Sequence, residues 1–343
     1  MTPQSDLSDI RAGELPQPAV IAVPKALYGL HGTSFTTYRI GGPLDEVYQP
    51  TSTEEAIAVL KQVGESGKAL TVLGWGGNTI IASQGIRDVT LITRKLEQID
   101  ILSPTRLRFA AGVHLARAAS TALKQGLSGG EYMIGIPGTI GGAIRMNAGA
   151  LGQETAHLVQ TVTLFNLESG LVEIRNASEL AFSYRKSAIR PETEIILSAE
   201  LEFTPGDPAE ISDKMERSVR FRKEHHPREP NGGSVFKNPQ PDMPVGRLMD
   251  ELGAKGQWRE GGMMVSPLHG NFIINIAESG SSATTPEHRA FTGTSTDALK
   301  LMRRMQLAIR EHYGLDTHPE NLFLGEATPE ERDLWQALKE SRI

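Results

Sequence analysis

Cysteine is absent from the 343 residues. That excludes a disulfide framework, a thiolate metal site and a cysteine nucleophile. Also missing is any apolar run near the roughly 18–20 residues that a transmembrane helix needs. Positive charge is not in excess: 35 Lys and Arg stand against 41 Asp and Glu, for a net charge of −6. Such a balance argues against a general nucleic-acid binder. The first 24 residues are polar and proline-bearing, with early acidic residues and no apolar stretch behind a basic start. They read as a flexible arm rather than a secretory signal, and a cytoplasmic protein is expected. What the chain has in abundance is glycine, 35 residues, above the usual ~7% of a sequence.

The length is enough for two or three domains. Ser52 and Glu55 have capping-box spacing, and Ile57, Leu60 and Val63 form a stripe, so a helix is expected there. Strands are expected at 69–73, 89–92 and 107–110, then a helix over 114–125. The following stretch, 126–152, holds nine glycines' worth of breaks and reads as too glycine-rich for an ordinary helix. Beyond it, 159–165, 171–174 and 195–203 read as antiparallel strands, and Thr204 to Pro208 as a domain boundary. A charged helix, a helix near 245–252 and a strand at 272–276 follow. The Gly/Ser/Thr-rich segment 279–295 reads as an insertion or loop. Ala298, Leu301, Met302, Met305 and Ile309 then mark one face of an amphipathic helix over 297–312. The overall class is α+β.

Two segments place glycines at loop spacing beside apolar strand-like residues: Leu73 to Asn78, and Ile134 to Ala143. Successive glycine N–H groups can approach an anion closely, so such loops suit a pyrophosphate as well as a tight turn. The G-x-G-x-x-G frame with its downstream acid is absent, and so is a Walker lysine. Two loops in one chain, with Arg145 and Asn147 beside the second, point to an extended dinucleotide. His225 and His226 invite a metal reading. Adjacent histidines diverge on a helix, however, and no third ligand is suitably spaced, so no metal is expected.

Seven stretches in order carry a resemblance: Tyr38 to Pro43, Leu73 to Asn78, Gly135 to Ala143, Arg145 to Ala150, Ser183 to Arg185, Gly233 to Pro239, and Val265 to Phe272. Together they resemble the UDP-N-acetylenolpyruvoylglucosamine reductases over about residues 25–326. The resemblance implies a vanillyl-alcohol-oxidase type FAD fold. Two α+β subdomains, 25–93 and 94–206, would enclose the cofactor. A substrate domain, 207–326, would close over a UDP-sugar, with a helical tail at 327–343. It further implies non-covalent FAD, NADPH as electron donor, and reduction of an enolpyruvyl ether to UDP-N-acetylmuramate for peptidoglycan. A monomer with small-molecule partners is expected.

Residue by residue, the resemblance places FAD against Arg39, Gly41, Gly42, Gly74, Trp75, Gly76, Gly77, Asn78, Gly135, Pro137, Gly138, Thr139, Gly142, Arg145, Asn147 and Ala148. It places the substrate against Tyr184, Arg222, Lys237, Asn238 and His269. It makes Arg185 and Glu320 the stabilisers of the enolate and Ser234 the proton donor. This division fits the chemistry. An alkene accepts hydride only if charge arriving beside the carboxylate is stabilised, and a serine is acid enough only for a strongly basic carbon. A glutamate facing a carboxylate must be protonated or share a proton.

The sequence departs from the family pattern in several places. Gly77 stands where serine is common, Trp75 where glycine is, His225 where lysine is, and Asn321-Leu322 where Val-Arg is. With no cysteine, and no histidine over 70–85, a covalent flavin link is not expected. The short link 188–194 resembles the branch without a tyrosine lid, which would leave closure to the third domain or to 279–295. Two other readings stay open from sequence: another FAD-dependent sugar or lactone oxidoreductase of this fold, and a non-catalytic nucleotide-sugar-binding relative.

Overall fold

The computed structural model describes residues 22–277 and 290–340. Most of the N-terminal arm and most of the 279–295 segment therefore lie outside the described residues. The chain begins with a small sheet in the strand order Leu30–His31, Pro43–Tyr48, Ile86–Ile92, Leu70–Leu73. The last three strands run parallel, as the crossover helix α1 (Thr53–Ser66) requires. Ser52 caps α1 by accepting from the Glu55 N–H at 3.2 Å. Glu55 reaches back one residue further than expected, to the N–H and hydroxyl of Thr51.

An antiparallel five-stranded sheet follows, ordered Leu171–Asn176, Val159–Asn166, Glu194–Glu202, Arg106–Ala110, Ile99–Ile101. α2 (Leu115–Lys124) and α3 (Ile140–Met146) pack into the same core, with Leu115, Ala118, Ala119, Ile140 and Ile144 buried. α3 corrects the expectation that 126–152 holds no helix. Thr139 caps it, accepting from the Gly142 N–H at 3.4 Å. A Cβ on Gly141 would stand 3.1 Å from Ala111, so the glycines let a short helix press onto the sheet edge.

The third unit packs α5 (Val245–Glu251) and α6 (Ser295–Tyr313) around a sheet ordered Asn231–Ser234, Phe272–Asn275, Met263–Val265, Arg259–Glu260. The face of α6 expected from its spacing is fully buried, and each such Leu, Ile or Met contributes roughly 1.5–3 kcal/mol. Packing crosses the boundary drawn at 206/207. α4 (Pro208–His225) puts Ile211 and Met215 into the core of the five-stranded sheet. The C-terminal strand Leu322–Leu324 pairs in parallel with Thr79–Ile81, far back in the first unit. Tyr38, Ile40 and Ile80 in turn join the core of the third unit. Among the described residues no helix is long and apolar enough to cross a membrane.

The helical tail appears as α7 (Pro329–Glu340), held by a buried carboxylate. Thr328 and Glu331 cap one another reciprocally, at 3.0 and 3.2 Å. Glu331 also accepts from the N–H and hydroxyl of Ser83 and from the hydroxyls of Ser295 and Thr296. These hydrogen bonds hold its carboxyl below the usual carboxylate range, although burial alone would raise it. Glu331→Ala strands those donors, and a loss of roughly 2–3 kcal/mol in urea-unfolding free energy is expected. Because the folded pKa is depressed, the carboxylate stabilises fully above the unfolded value of about 4.3 and ceases to do so as pH falls through the folded value. The difference between variant and parent should therefore shrink below about pH 4.

Candidate active site

The strand Leu70–Leu73 delivers the first glycine loop, and its shape is set from outside the loop. Arg94 donates through Nε to the Gly74 carbonyl at 3.0 Å and through Nη2 to the Trp75 carbonyl at 3.2 Å. The Thr37 N–H takes the Gly76 carbonyl at 3.2 Å. Tying up these oxygens leaves the opposite, N–H edges of the same peptide planes for an anion. Gly76 has φ +63°, and a Cβ there would meet the Phe35 carbonyl at 2.1 Å, so only glycine fits. The guanidinium of Arg94 also stacks 5.0 Å from the Trp75 ring centre, and His114 meets that ring edge-on at 5.1 Å.

The second loop lies directly against the first. A Cβ on Gly74 would be 2.7 Å from Thr139 Oγ1, and one on Gly77 would be 3.0 Å from the Pro137 carbonyl. Both loops line one cavity of about 580 Å³, a size suited to a cofactor with part of a substrate. Arg145, Arg185, Arg222, Ser234 and Glu320 line it as well. Burial lowers the pKa of Arg145 and Arg222. Among the described residues neither guanidinium pairs with a carboxylate within ion-pair distance, so both have capacity for phosphate oxygens.

Arg185 sits at φ +56° in a tight turn closed between Ser183 and Lys186. Its Nε donates to Glu320 Oε1 at 2.7 Å and its Nη2 to the Gly149 carbonyl at 3.2 Å. Burial pushes the Glu320 carboxyl above the ordinary range, against the opposing pull of Arg185 and Lys237. Tyr184 stacks under Arg185 at 5.1 Å, its phenol also raised by burial and close to the Asn238 backbone. Tyr184, Lys237 and Asn238 thus surround the Arg185–Glu320 pair from outside the cavity lining.

The remaining expected residues divide in two. Trp75, Gly76, Asn78, Gly135, Gly138, Gly142 and Ala148 line the cavity with those already named. Arg39, Gly41, Gly42, Asn147 and His269 do not. Arg39 lies 5.2 Å over the Phe291 ring. Gly41 and Gly42 are packing positions, where a Cβ would meet Ile81 at 2.8 Å and the Ser83 carbonyl at 2.1 Å. Asn147, wholly buried at φ +41°, donates to Glu154 at 2.8 Å and to the Ser183 carbonyl at 3.1 Å, and so braces the turn that carries Arg185. His269 accepts from the Asn271 N–H at 3.1 Å and packs on Phe272. His225 stacks on Phe221, and His226 meets the same ring edge-on while also facing His269 and Phe272. Among the described residues no cluster of three potential metal ligands occurs.

The sequence gives no signal for Arg94, offers His226 only as a metal ligand and marks Asn321 only as a departure from the family pattern. His226 lines the cavity, with its pKa lowered to about 4 by burial and by the nearby Arg222. Arg94 carries no local signal, since its partners lie about twenty residues back along the chain.

Comparison with known proteins bears on the family and the fold. A family model described as an FAD binding domain matches residues 44–174, and one described as the C-terminal domain of UDP-N-acetylenolpyruvoylglucosamine reductase matches 225–286. The chain is 37% identical over 301 residues to the UDP-N-acetylenolpyruvoylglucosamine reductase of Synechococcus sp. strain WH7803, covering 86% of this chain and 92% of that one. The chain belongs to the UDP-N-acetylenolpyruvoylglucosamine reductase family. The enzyme of the same name from Carboxydothermus hydrogenoformans is 41% identical over 249 residues, 72% of this chain and 81% of that one. The crystal structure of the Thermus caldophilus reductase superposes with a TM-score of 0.70 at 29% identity, over 86% of this chain and 97% of that one. As a member of the UDP-N-acetylenolpyruvoylglucosamine reductase family, the chain is an FAD-dependent oxidoreductase of the α+β flavoprotein fold expected from its motifs. The paired glycine loops, the first with its carbonyls held by Arg94 and Thr37, share their cavity with Arg145 and Arg222 and so offer donors of the kind that the pyrophosphate of FAD requires. The altered Gly77 keeps its backbone donor.

Two outcomes follow for this site. Arg94→Ala frees the carbonyls of the first loop, and the protein should retain FAD at least about tenfold less tightly, measured by ultrafiltration of the released flavin. Glu320→Gln removes a carboxylate whose folded pKa is raised. Such a group stabilises below the unfolded value of about 4.3 and loses that contribution as pH rises through the folded value. At pH 8 the glutamine variant should therefore melt no lower than the parent, by differential scanning fluorimetry, with any advantage disappearing towards pH 4.

Proposed function

We propose that this protein uses NADPH to reduce the enolpyruvyl ether of UDP-N-acetylglucosamine to UDP-N-acetylmuramate, in the cytoplasm, as a step of peptidoglycan precursor synthesis. One observation carries the reading. Ser234 and the Arg185–Glu320 pair line the same cavity as two abutting glycine loops. Bound FAD supplies the hydride chemistry that links the nicotinamide donor to the vinyl carbon. The chain's own residues govern everything beside that transfer.

Arg185 and Glu320 face the substrate carboxylate in this reading. As electron density moves onto the carbon next to the carboxylate, the guanidinium stabilises the growing enolate charge. The raised pKa of Glu320 lets it hold a proton against that carboxylate rather than repel it. Ser234 then donates its hydroxyl proton to that carbon, so the double bond gains one hydride and one proton. Lys237, close enough to act electrostatically on Glu320, offsets the negative charge that accumulates. Arg222 takes the diphosphate of the UDP group, beside a His226 that is neutral at physiological pH.

The purified protein should be yellow and release its flavin on denaturation. In stopped-flow, Ser234→Ala should leave bleaching by NADPH intact and slow reoxidation by the enolpyruvyl sugar by about 10² or more. Equal loss of both half-reactions would contradict the assignment. Rapid oxygen use with indifference to the sugar would favour an oxidase instead.

A further inference from the structure

The residue after Glu320 departs from the family pattern, and the structure shows what it does. Asn321 is buried to 1% exposure. Its Nδ2 lies 2.7 Å from Asn78 Oδ1, 2.9 Å from the Gly232 carbonyl and 3.3 Å from the Ser234 carbonyl. Its Oδ1 accepts from the Tyr38 hydroxyl at 2.9 Å, and Tyr38 is itself fully buried. The Gly232 N–H lies at the same hydroxyl, and the Tyr38 ring fills the space that a Cβ on Gly232 would need. One amide therefore joins the end of the first glycine loop to the turn that carries Ser234.

The backbone on either side repeats the connection. The Glu320 N–H donates to the Val235 carbonyl at 2.8 Å, and the Leu322 N–H donates to the Asn78 carbonyl at 2.9 Å. Asn78 Nδ2 returns a bond to the Glu320 carbonyl at 2.9 Å. One side-chain bond, from Asn321 Nδ2 to Asn78 Oδ1, links the two asparagines, while Asn78 holds the Glu320 carbonyl and Asn321 the carbonyls of Gly232 and Ser234. Position 321 thus joins the three elements of the proposed chemistry: the cofactor loop, the proton-donor turn and the enolate-stabilising glutamate.

We infer that Asn321, supported by Tyr38 and Asn78, is a positioning residue that fixes Ser234 and Glu320 in register with the first glycine loop. The inference rests on the reductase reading above. Asparagine suits the task because a planar amide offers donors and an acceptor at once, and valine at this position would leave the Tyr38 hydroxyl and two carbonyls buried without their partner. Small displacements of reacting groups cost rate steeply. The effect should fall on proton delivery to the sugar and spare the transfer from NADPH, which uses neither Ser234 nor Glu320.

The test uses the FAD-loaded protein and resolves the two half-reactions by stopped-flow for Asn321→Val and for the milder Tyr38→Phe. Asn321→Val should slow reoxidation by the enolpyruvyl sugar at least about tenfold and move the pH profile of that step. Bleaching by NADPH should stay within about twofold. Tyr38→Phe, which keeps the ring and removes one hydroxyl, should show the same split at smaller amplitude. A common fall in both half-reactions, tracking the melting temperature, would reduce Asn321 to a structural residue and overturn the inference. So would reoxidation at the parental rate with an unmoved pH profile. Failure of the parent itself to be reoxidised by the sugar would overturn the reductase reading, an outcome distinct from parental activity with a normal variant.

Discussion

The pairing of Leu322–Leu324 with Thr79–Ile81 is the constraint on which the site depends. A parallel ladder between residues some 240 positions apart in sequence brings the last part of the chain back onto the first unit. It helps set Glu320 beside Arg185, which lies in the connection between two strands of the five-stranded sheet. The closing loop is entropically expensive. It is stabilised by the shared core, in which Tyr38, Ile40 and Ile80 pack with α6, and by the Glu331 carboxylate that joins α7 to Ser83.

From that constraint the electrostatics of the cavity follow. Arg185 and Glu320 come from segments distant in the chain, and burial of the carboxyl raises its pKa despite the adjacent cation. A carboxyl held in that condition can share a proton with an anionic ligand, which an exposed glutamate would not do at neutral pH. Lining the same cavity, the first glycine loop is held by Arg94 and Thr37 through its carbonyls, and the Phe35 carbonyl leaves no room for a side chain at Gly76. Glycine in this protein thus serves both close approach of chain segments, as at Gly76, and left-handed turns in open space, as at Gly138 and Gly233.

Much of this was legible in the sequence. Capping-box spacing located the start of α1, α2 lies within the expected 114–125, and the apolar stripe located α6 to within about two residues, since those signals are local. The glycine loops, Arg185, Ser234 and Glu320 were visible because their motifs are contiguous. What stayed hidden was set by contacts distant in the chain. Asn147 stands within a motif, yet its role is to brace the Ser183 turn. Gly41 and Gly42 share a motif with Arg39 but serve packing against Ile81 and Ser83. Arg94 and Asn321 are single polar residues whose partners lie on other elements, and no spacing rule marks such residues. The short helix α3 was missed because glycine content predicts helix loss only where nothing packs against the helix.

The central claim is that the cavity joins nicotinamide oxidation to reduction of an enolpyruvyl UDP-sugar. The most direct measurement is anaerobic turnover with both substrates, following NADPH at 340 nm (roughly its absorbance maximum) and the sugar by mass spectrometry. The account predicts one NADPH oxidised per product formed, each product molecule heavier than its precursor by two hydrogens. NADPH oxidation that requires oxygen, with the sugar recovered unchanged, would contradict it.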